Sequence, residues 1–528
     1  MRSSKFCISE RFLRRQSSEL ASAPDMSLHW ITFILANSSR SRVGRKEMDC
    51  LAAGGGRKTY TEKYVMSSIR SSLGGLSKGP TPEKSSEAHT SSTVSQLAGT
   101  PLMKLRNQYR SDLFDDFLPF MDKYVIDHQY GGFMCNTDRE GTRLGERKEA
   151  WFEGRGIWVY SFLFGHFGHN PQHLEVARKS VQFLLKSKPS EKDALWPSIF
   201  SREGKSLTPP AKTILGELFI AEGFAEFSKA TNDPAYWDQA KAIILNCVRI
   251  YDRPDYDPDV VAGYNDLMAR FGSVLPTYLN PKIVAMYRGP KVIPFPGARA
   301  QAVSMLLIRT ISQMLETRSD PDLEEVLRHC IDDVINSYFN PEFQLNNELL
   351  NHDYSRPTNE LAQFVYAGHA IETLTELLME AVRTRDETLF NTAAQRFRRH
   401  LEVGWDNVYG GLLRSLNNVD ENDWSLDKVL WEQEEALNGL LVIVEHTGDS
   451  WAKEAFGKLY TYVHEKYPLR QYGFPLWITT ADRKVTFERH AARVENYHHP
   501  RFLMFNLLIL DRMIHRAKSD EAAQNHSA

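Results

Sequence analysis

The sequence has few cysteines, no long hydrophobic run and little net charge, and each absence excludes a class of protein. Its five cysteines show no C-x-x-C or ligand-like spacing, which argues against a disulfide framework or a zinc site and favours a reducing compartment. No apolar run reaches the ~18 residues that a membrane-spanning helix needs. A net charge of −3 gives no reason to expect nucleic acid or an anionic membrane as a partner.

Residues 1–100 lack sustained hydrophobic periodicity. They contain 20 serines, a triple glycine, and 15 Lys and Arg against 8 Asp and Glu, so we expect a disordered leader. Its Arg- and Ser-rich start suits an organelle transit peptide, but three acidic residues near it argue against one, and a dispensable leader is an equal alternative. We therefore expect a cytoplasmic protein, with organelle targeting as the alternative.

Long helix-period apolar patterns begin at Pro101 and continue to about residue 518, followed by a tail (519–528) that we expect to be disordered. Gly, Pro, Asn and Asp residues divide this stretch into segments. Twelve helices are predicted, at 102–127, 149–168, 171–188, 211–231, 234–251, 297–316, 320–338, 358–383, 385–403, 427–447, 449–466 and 499–516.

Turn motifs recur between these helices. Segments beginning at Tyr130, Trp196, Tyr409 and Tyr472 each predict a small β-hairpin with a polar turn. Six helix pairs without an interior linker favour one all-α domain over 101–518, a closed (α/α)6 barrel or toroid with short β-hairpins between helix pairs. An open α-solenoid is the alternative, but it would show repeats of about 34 to 47 residues.

Polar or aromatic residues on otherwise apolar inner helices are the candidates for function in such a barrel. Trp151, Arg155 and Trp158 share one helical face. Arg155 needs a partner, because an unpaired buried charge is costly. It is either a core arginine paired with a carboxylate, or part of a sugar site in which a tryptophan stacks on the sugar and Arg155 binds an oxygen.

Two histidines are candidate acid/base groups. His369 lies three residues before Glu372 on an apolar helix, where Glu372 could bond to His369 or to the next inner helix. His498 and Arg501 lie at the start of the last helix and could serve proton transfer to an anionic intermediate. The alternatives are a satisfied core histidine for the first pair, and a helix-capping arginine beside surface histidines for the second.

A fourth segment lies at the start of the helix predicted over 427–447. Trp431 and Glu435 face one way at i, i+4, whereas we expect Glu432 and Glu434 on a solvated face.

In order and spacing, these segments resemble the N-acylglucosamine 2-epimerase family, which also includes cellobiose 2-epimerases and mannose isomerases. The resemblance covers roughly residues 105–516. Each motif is weak alone, but the ordered set is specific; it comprises Tyr130–Tyr160, His369–Glu372, Trp431–Ala436 and His498–Arg501, with weaker blocks at Gly223–Thr231 and Gly404–Leu412.

The resemblance implies an (α/α)6 barrel that binds an open-chain sugar. His369 and His498 would remove the C2 proton and return it to the opposite face. Arg155 and Arg501 would stabilise the enolate-like intermediate, and Glu435 would orient or polarise a histidine. This suits a weakly acidic proton next to a carbonyl, which needs near-neutral bases and fixed positive charge. The candidate substrate-binding residues are Trp151, Trp158, Glu372 and Trp431.

No metal or cofactor is required for this chemistry, and ATP enters only as an allosteric effector, because some members of the family need it. Tyr264–Pro296, rich in Pro and Gly, is interpreted either as a lid or nucleotide-responsive loop, or as an ordinary surface excursion. The expected partners are a small-molecule sugar and a second copy of the chain in a homodimer, with no nucleic acid and no membrane.

The chain departs from the family pattern around the pocket. Leu430 and Glu432 replace the first tryptophan and the proline of a W-W-P-Q motif, Tyr366-Ala367 replaces Asn-Pro, Thr375 replaces an aromatic residue, and Tyr472–Leu476 differs from the family's hairpin. These changes leave the acid/base residues intact and the identity of the substrate open.

The leading hypothesis is a sugar 2-epimerase that interconverts N-acylglucosamine and N-acylmannosamine. An aldose–ketose isomerase is the close alternative, because it moves a proton between C1 and C2 on one face and can use one histidine. A glycoside hydrolase or lyase would need two carboxylates in the cavity, with Glu372 and Glu435 as the candidates. A non-catalytic sugar-binding protein is the third alternative, and the intact histidines and arginines argue against it.

Overall fold

The computed structural model describes residues 94–138, 140–191, 193–256, 296–426, 428–467, 478–479 and 494–527. Residues 1–93 of the predicted leader, 264–295 of the predicted lid segment and the turn at Tyr472–Leu476 lie outside these ranges. Among the described residues, none of the helices combines the length and the apolar character needed to cross a membrane.

The chain is mostly helical, as predicted. The described ranges contain twelve α-helices of ten or more residues, which we number α1 Leu102–Ser111, α2 Ala150–His166, α3 Pro171–Lys186, α4 Leu215–Thr231, α5 Pro234–Tyr251, α6 Gln301–Leu315, α7 Pro321–Asp332, α8 Ala367–Thr384, α9 Glu387–Gly404, α10 Leu430–Thr447, α11 Ser450–Lys466 and α12 His498–Ser527. Helix α1 continues into shorter helical turns as far as Val125, and α7 into one that ends at Ser337.

Even-numbered helices form an inner ring. Each packs on the next in the order α2, α4, α6, α8, α10 and α12, and α12 contacts α2 again. Odd-numbered helices pack outside, each against a neighbouring inner helix. The inner helices are buried along most of their length; every residue of α10 from Leu430 to Glu445 is buried. The inner ring therefore supplies the walls of the core.

The outer helices begin with side-chain caps. A carboxylate or amide oxygen accepts a backbone N–H of the first turn in α3, α5, α7, α9 and α11, and proline opens three of these helices, which favours helix initiation. The capping residues are Asn170, Asp233, Asp320, Asp386 and Asp449. Because these Asx-Pro and Asp signals are local, the sequence located the starts of the outer helices to within two residues.

Short strands precede the inner helices. They are β1 Gln96–Leu97, β2 Thr100–Pro101, β3 Arg147–Glu149, β4 Ile199–Ser201, β5 Arg299–Ala300, β6 Phe339–Asn340, β7 Leu345–Asn346, β8 Leu349–Leu350, β9 Val365–Tyr366, β10 Ser415–Asn418, β11 Asp423–Ser425, β12 Lys428–Val429 and β13 Ile478–Thr479. Four antiparallel pairs, β3–β4, β5–β8, β9–β10 and β12–β13, each join a strand before one inner helix to a strand in the connection before the next.

Only part of the predicted hairpin pattern lies within single connections. β1–β2, β6–β7 and β10–β11 are local antiparallel pairs. The motif at Tyr409 does not pair with Ser415–Asn418: Leu412 bridges to Trp405, whereas β10 pairs with β11 and β9. Pairing between connections is a tertiary interaction, so the local turn chemistry does not predict it.

Three segments differ from their predicted bounds. The helix expected from residue 358 begins at Ala367, because β9 is extended and paired with β10. The tail that was expected to be disordered from residue 519 continues α12 to Ser527, since Ala, Glu and Gln favour helix and no glycine or proline interrupts them. The end of the predicted disordered leader, in turn, forms the β1–β2 hairpin, in which Leu97 is 2% exposed.

Two buried lysines hold matching loops against the ring. Lys148 Nζ donates to Asp127 Oδ2 at 3.0 Å and to the carbonyl of Gly131 at 2.6 Å. Lys428 Nζ donates to Asp406 Oδ2 at 2.6 Å and to the carbonyl of Gly410. Each lysine side chain is 0% exposed. We call these two contacts the lysine clamps.

The residue after each Gly-Gly turn is held by an inner helix. Glu153 Oε1 on α2 accepts the backbone N–H of Phe133 at 3.0 Å. Gln433 Oε1 on α10 accepts the N–H of Leu412 at 2.8 Å, and its amide donates to the carbonyl of Leu412 at 3.0 Å. The same loop-to-helix contact is thus made once with an acid and once with an amide.

Candidate active site

Four inner helices carry the residues selected from the sequence, and all of these residues except Trp158 lie within the first two helical turns. Trp151 and Arg155 lie on α2, His369 on α8, Trp431 on α10 and His498 on α12. Helices α2, α8 and α10 follow directly on β3, β9 and β12. Strand pairing therefore fixes where these first turns lie.

Trp431 lies against both candidate histidines. Its ring centroid is 5.8 Å from that of His369 and 5.1 Å from that of His498, with interplanar angles of 37° and 31°. Tyr366 packs on His369 from another side, at 4.2 Å between ring centroids. The structure thus brings together two histidines that are 129 positions apart in the sequence, around one indole.

His369 is bound by a carboxylate that the sequence did not indicate. Its Nδ1 lies 2.9 Å from Glu348 Oε1, in the connection before α8. Burial lowers the pKa of His369, but the charge and hydrogen bond of Glu348 and the charge of Glu372 together raise the pKa above its ordinary value. Glu372 accepts instead from Arg309 Nη1 at 2.6 Å, on α6, the inner helix before its own.

His498 is bound by the predicted carboxylate, Glu435. Its Nδ1 lies 3.0 Å from Glu435 Oε1, and the same oxygen accepts from Arg501 Nη1 at 2.6 Å. Arg501 also donates to Glu376. Burial alone would raise the pKa of Glu435, but Arg501 and His498 hold it below its usual range. Arg501 has a side chain that is 0% exposed, so both of its carboxylate contacts are shielded from solvent.

A second buried arginine lies beside this group. Arg309 contacts Glu222 Oε1 at 3.0 Å and Glu372 Oε1 at 2.6 Å, and Tyr497 donates to Glu222 at 2.5 Å. Burial raises the pKa of Glu376, between the two arginines, to about 7. Four carboxylates and two guanidinium groups thus share one buried network, in which Glu376 holds a proton below about pH 7.

Arg155 joins the first inner helix to the last. Its Nη1 donates to Glu495 Oε1 at 3.0 Å, and its guanidinium lies 4.1 Å from the Phe219 ring centroid and 5.1 Å from that of Trp151. Glu495 Oε2 accepts the backbone N–H of His498 at 2.7 Å. A chain of two contacts therefore connects Arg155 to the start of α12, and its carboxylate partner is the one that the core-arginine interpretation predicted.

Three residues differ in placement from the sequence-based expectation. Trp158 is 0% exposed and donates to Gln313 Oε1 at 2.8 Å, so it is separate from the indole between the histidines. Glu432 and Glu434 were expected on a solvated face, which is wrong: they are 0% and 1% exposed. Glu434 is bound to His499 Nδ1, because α10 is enclosed on every side by its neighbours.

One group could geometrically hold a cation. Ligand atoms of Glu372, Glu435 and His498 all lie within 4.8 Å of one another. Both carboxylates already accept from guanidinium groups, Arg309 and Arg501. A divalent ion would have to displace these donors and sit beside two fixed positive charges, so the donor set suits an ion-paired network better than a metal centre.

The carboxylates and arginine of this network had a partial signal in the sequence. Glu222, Arg309 and Glu376 are isolated charged residues on apolar inner helices, the pattern that singled out Arg155. Glu348 had no such signal, because it lies in a connection without periodicity and reaches His369 only through the tertiary fold.

Comparison with known proteins gives a family match and a full-length relative. The family model of N-acylglucosamine 2-epimerase (GlcNAc 2-epimerase) matches residues 303–500, a range that includes His369, Trp431, Glu435 and His498. The N-acylglucosamine 2-epimerase of Bos taurus is 22% identical over 430 residues, which cover 78% of this chain and 93% of that protein.

Solved structures resemble the chain in fold. A cellobiose 2-epimerase from Bacillus thermoamylovorans aligns with a TM-score of 0.63 at 16% identity, over 78% of this chain and 100% of that one. A D-mannose isomerase aligns with a TM-score of 0.55 at 14% identity, over 77% and 97% of the two chains. The helical architecture is therefore of the α/α toroid class.

Proposed function

Since this chain belongs to the N-acylglucosamine 2-epimerase family, a family of carbohydrate epimerases and isomerases, we propose that it is a sugar 2-epimerase. It would interconvert N-acylglucosamine and N-acylmannosamine in their open-chain forms, within a complete (α/α)6 barrel. One observation carries the proposal: two histidines flank the Trp431 indole, and each has a buried carboxylate on Nδ1.

The Nδ1 contacts assign the reactive nitrogen. With Nδ1 held by a carboxylate, Nε2 is the nitrogen that exchanges a proton with substrate, and neither Nε2 has a hydrogen-bond partner within the described ranges. One histidine takes the C2 proton and leaves an enolate-like intermediate. The other returns a proton to the opposite face, which inverts C2. Proton count balances, since one histidine gains the proton that the other gives.

Arg155 and Arg501 take different parts in this proposal. The Arg155 side chain is 10% exposed and lies beside Trp151, so we assign it to the negative charge that develops on the intermediate. Arg501 is fully buried and bound to Glu435. We therefore assign Arg501 to holding Glu435 ionised beside His498, in place of the direct role that the sequence suggested.

Sugar recognition is assigned to surfaces around the same indole. Trp431 and Trp151 supply aromatic faces, and Glu372 holds Arg309 in the network behind them. Trp158 is fully buried and packs on Tyr497 at 5.4 Å between ring centroids, so we assign it to support of the site in place of the predicted substrate contact. No cofactor is needed for this chemistry, because the acid, the base and the positive charge are all side chains. ATP as an effector and a homodimer remain parts of the proposal.

Proton NMR in D₂O tests the proposed function. The protein is incubated with N-acetylmannosamine, N-acetylglucosamine, mannose and glucose, with and without ATP. We expect deuterium at C2 of an N-acetylated hexosamine together with formation of its C2 epimer. A ketose product would assign the aldose–ketose isomerase, and no exchange in any sugar from a folded sample would refute both.

Histidine variants test the assignment of residues. His369→Ala and His498→Ala should each lower turnover by at least 10-fold, because positioned acid/base groups contribute about 10²–10⁴-fold. His329→Ala is the matched control: this ring also contacts a carboxylate, Glu325 Oε1 at 2.7 Å, but it is 70% exposed on α7. It should leave turnover unchanged. A rate above about a tenth of wild type in either test variant would remove that histidine from the mechanism.

A further inference from the structure

The backbone of Glu348 is held on both sides, at the point where the connection before α8 meets the start of α6. Its backbone N–H donates to the carbonyl of Phe364 at 3.0 Å, and its own carbonyl accepts the N–H of Gln301 at 2.9 Å. The first contact reaches the segment before α8 and the second the start of α6. Because the backbone is held on both sides, the carboxylate is presented to His369 from a fixed position.

The two carboxylate–histidine pairs differ in how many positively charged groups each carboxylate contacts. Glu435 Oε1 is shared between His498 and Arg501. Glu348 Oε1 contacts His369 and accepts no guanidinium N–H, whereas the second oxygen of both carboxylates is buried without a hydrogen-bond partner among the described residues. The side chain of Glu348 is 8% exposed, so solvent screens it weakly. His369 therefore receives nearly the whole charge of its carboxylate, and His498 only part.

Other charged groups near His369 do not reverse this difference. Glu372 favours the protonated ring and Arg414 opposes it, each less strongly than Glu348. Tyr366 and Trp431 cover the ring faces. Burial is the largest single influence and lowers the pKa of His369, but the charge and hydrogen bond of Glu348, together with the charge of Glu372, raise the pKa overall. Around His369 the balance thus favours the imidazolium.

We propose that Glu348 is a positioning residue that orients His369 through Nδ1 and makes the two histidines unequal, so that they enter the reaction as acid and base. This inference rests on the proposed epimerase function. His498 Nε2 takes the C2 proton in the first step, and the His369 imidazolium gives its Nε2 proton to the opposite face. The cycle ends with the proton on His498, and exchange with solvent resets both rings.

Glu348→Gln tests the charge of this residue with little change in shape. An amide oxygen can still accept from Nδ1, but it offers no negative charge to an imidazolium. We expect kcat to fall at least about 10-fold with KM changed less than about threefold. The limb of the kcat–pH profile that reports His369 should move to lower pH. Glu348→Asp keeps the charge and should restore that limb toward the wild-type position.

Glu342→Gln is the matched control. It makes the same chemical change six positions earlier in the same connection, where the side chain is exposed, and it should leave kcat and the pH profile unchanged. A Glu348→Gln enzyme with a wild-type pH profile would overturn the proposal. So would a loss of activity that Glu348→Asp does not restore in a protein with a wild-type melting temperature.

Histidine titration separates this inference from the proposed function. NMR of ring-labelled histidine in the full chain, with the His369 signal assigned from a His369→Asn variant, follows the ring without substrate. A lower His369 pKa in Glu348→Gln supports the contact even if no sugar is turned over, in which case the epimerase proposal alone fails. An unchanged His369 titration refutes the role of Glu348 whatever the activity.

Discussion

Replacing Glu153 with glutamine should stabilise this protein at alkaline pH, although it removes a buried charged group. Glu153 on α2 and Gln433 on α10 accept the N–H of the residue after a Gly-Gly turn. An amide therefore already performs this contact elsewhere in the same fold. The Glu153 side chain is fully buried, and its Oε2 has no hydrogen-bond partner among the described residues.

The magnitude follows from the titration of this carboxyl. Burial raises the pKa of Glu153 to about 8, although Lys148 and the N–H of Phe133 act in the opposite direction. In the unfolded chain the group titrates near about 4.3. Its contribution to stability is fully present below about pH 4 and is lost as the pH rises through about 8. At about 1.4 kcal/mol per pH unit, the loss between pH 6 and pH 8 is on the order of 2 kcal/mol.

Guanidinium denaturation at pH 6, 7 and 8 measures this effect. The free energy of unfolding of Glu153→Gln, relative to wild type, should rise by about 2 kcal/mol from pH 6 to pH 8. Gln433→Glu is the reciprocal variant and should become less stable over the same interval. A difference between Glu153→Gln and wild type that stays constant with pH would refute the reasoning, because an amide does not titrate.

Three further outcomes are expected. Lys148→Met should lower the free energy of unfolding by about 3–5 kcal/mol in guanidinium denaturation, because it leaves buried Asp127 with one fewer partner. Its control, Lys458→Met, breaks an exposed pair whose side chains are 61% and 68% exposed, and should lower it by less than about 1 kcal/mol. Equal losses in the two variants would contradict this. Leu97→Ala should cost about 2–5 kcal/mol, and a cost near zero would show that the β1–β2 hairpin does not pack on the ring. Trp431→Ala should slow C2 deuterium exchange at least about 10-fold, and Trp431→Phe should slow it by an intermediate amount. Exchange at the wild-type rate in both variants would show that the Trp431 indole has no role in the reaction.

Local signals predicted the helices better than the strands. The Asx and proline caps of the outer helices are read within four residues, and the structure begins α3 and α5 at the predicted positions. The start of α8 was misplaced because Val365 is extended by pairing with Leu416, 51 positions later in the chain. Local sequence periodicity carries no information about strand pairing between residues so far apart in the chain.

The sequence predicted the two histidines, Trp431 and Glu435 of the candidate site, but not the carboxylate that binds His369. The ordered motifs brought His369, Trp431 and His498 into one hypothesis, and the structure places their rings in contact. Glu348 lies in a connection without helical periodicity, so the sequence does not identify it as the partner of His369. Glu432 and Glu434 are buried, although charged residues on a helix usually mark a solvent-exposed face. The prediction failed because an inner helix of a ring is covered on all sides and has no such face.

The seam between α12 and α2 has a consequence for how the protein is made. Glu495 binds Arg155, and Asn496 Nδ2 donates to the carbonyl of Phe152 at 2.9 Å, so the end of the chain meets its first inner helix. During translation, Phe152 leaves the ribosome exit tunnel long before Asn496 is added to the chain. During translation the nascent chain can form helix pairs from the N-terminus onward, but His498 and the contact that joins its helix to Arg155 come last. Under the mechanism proposed above, nascent chains that stop short of residue 495 lack His498 and would be inactive however well their helices form.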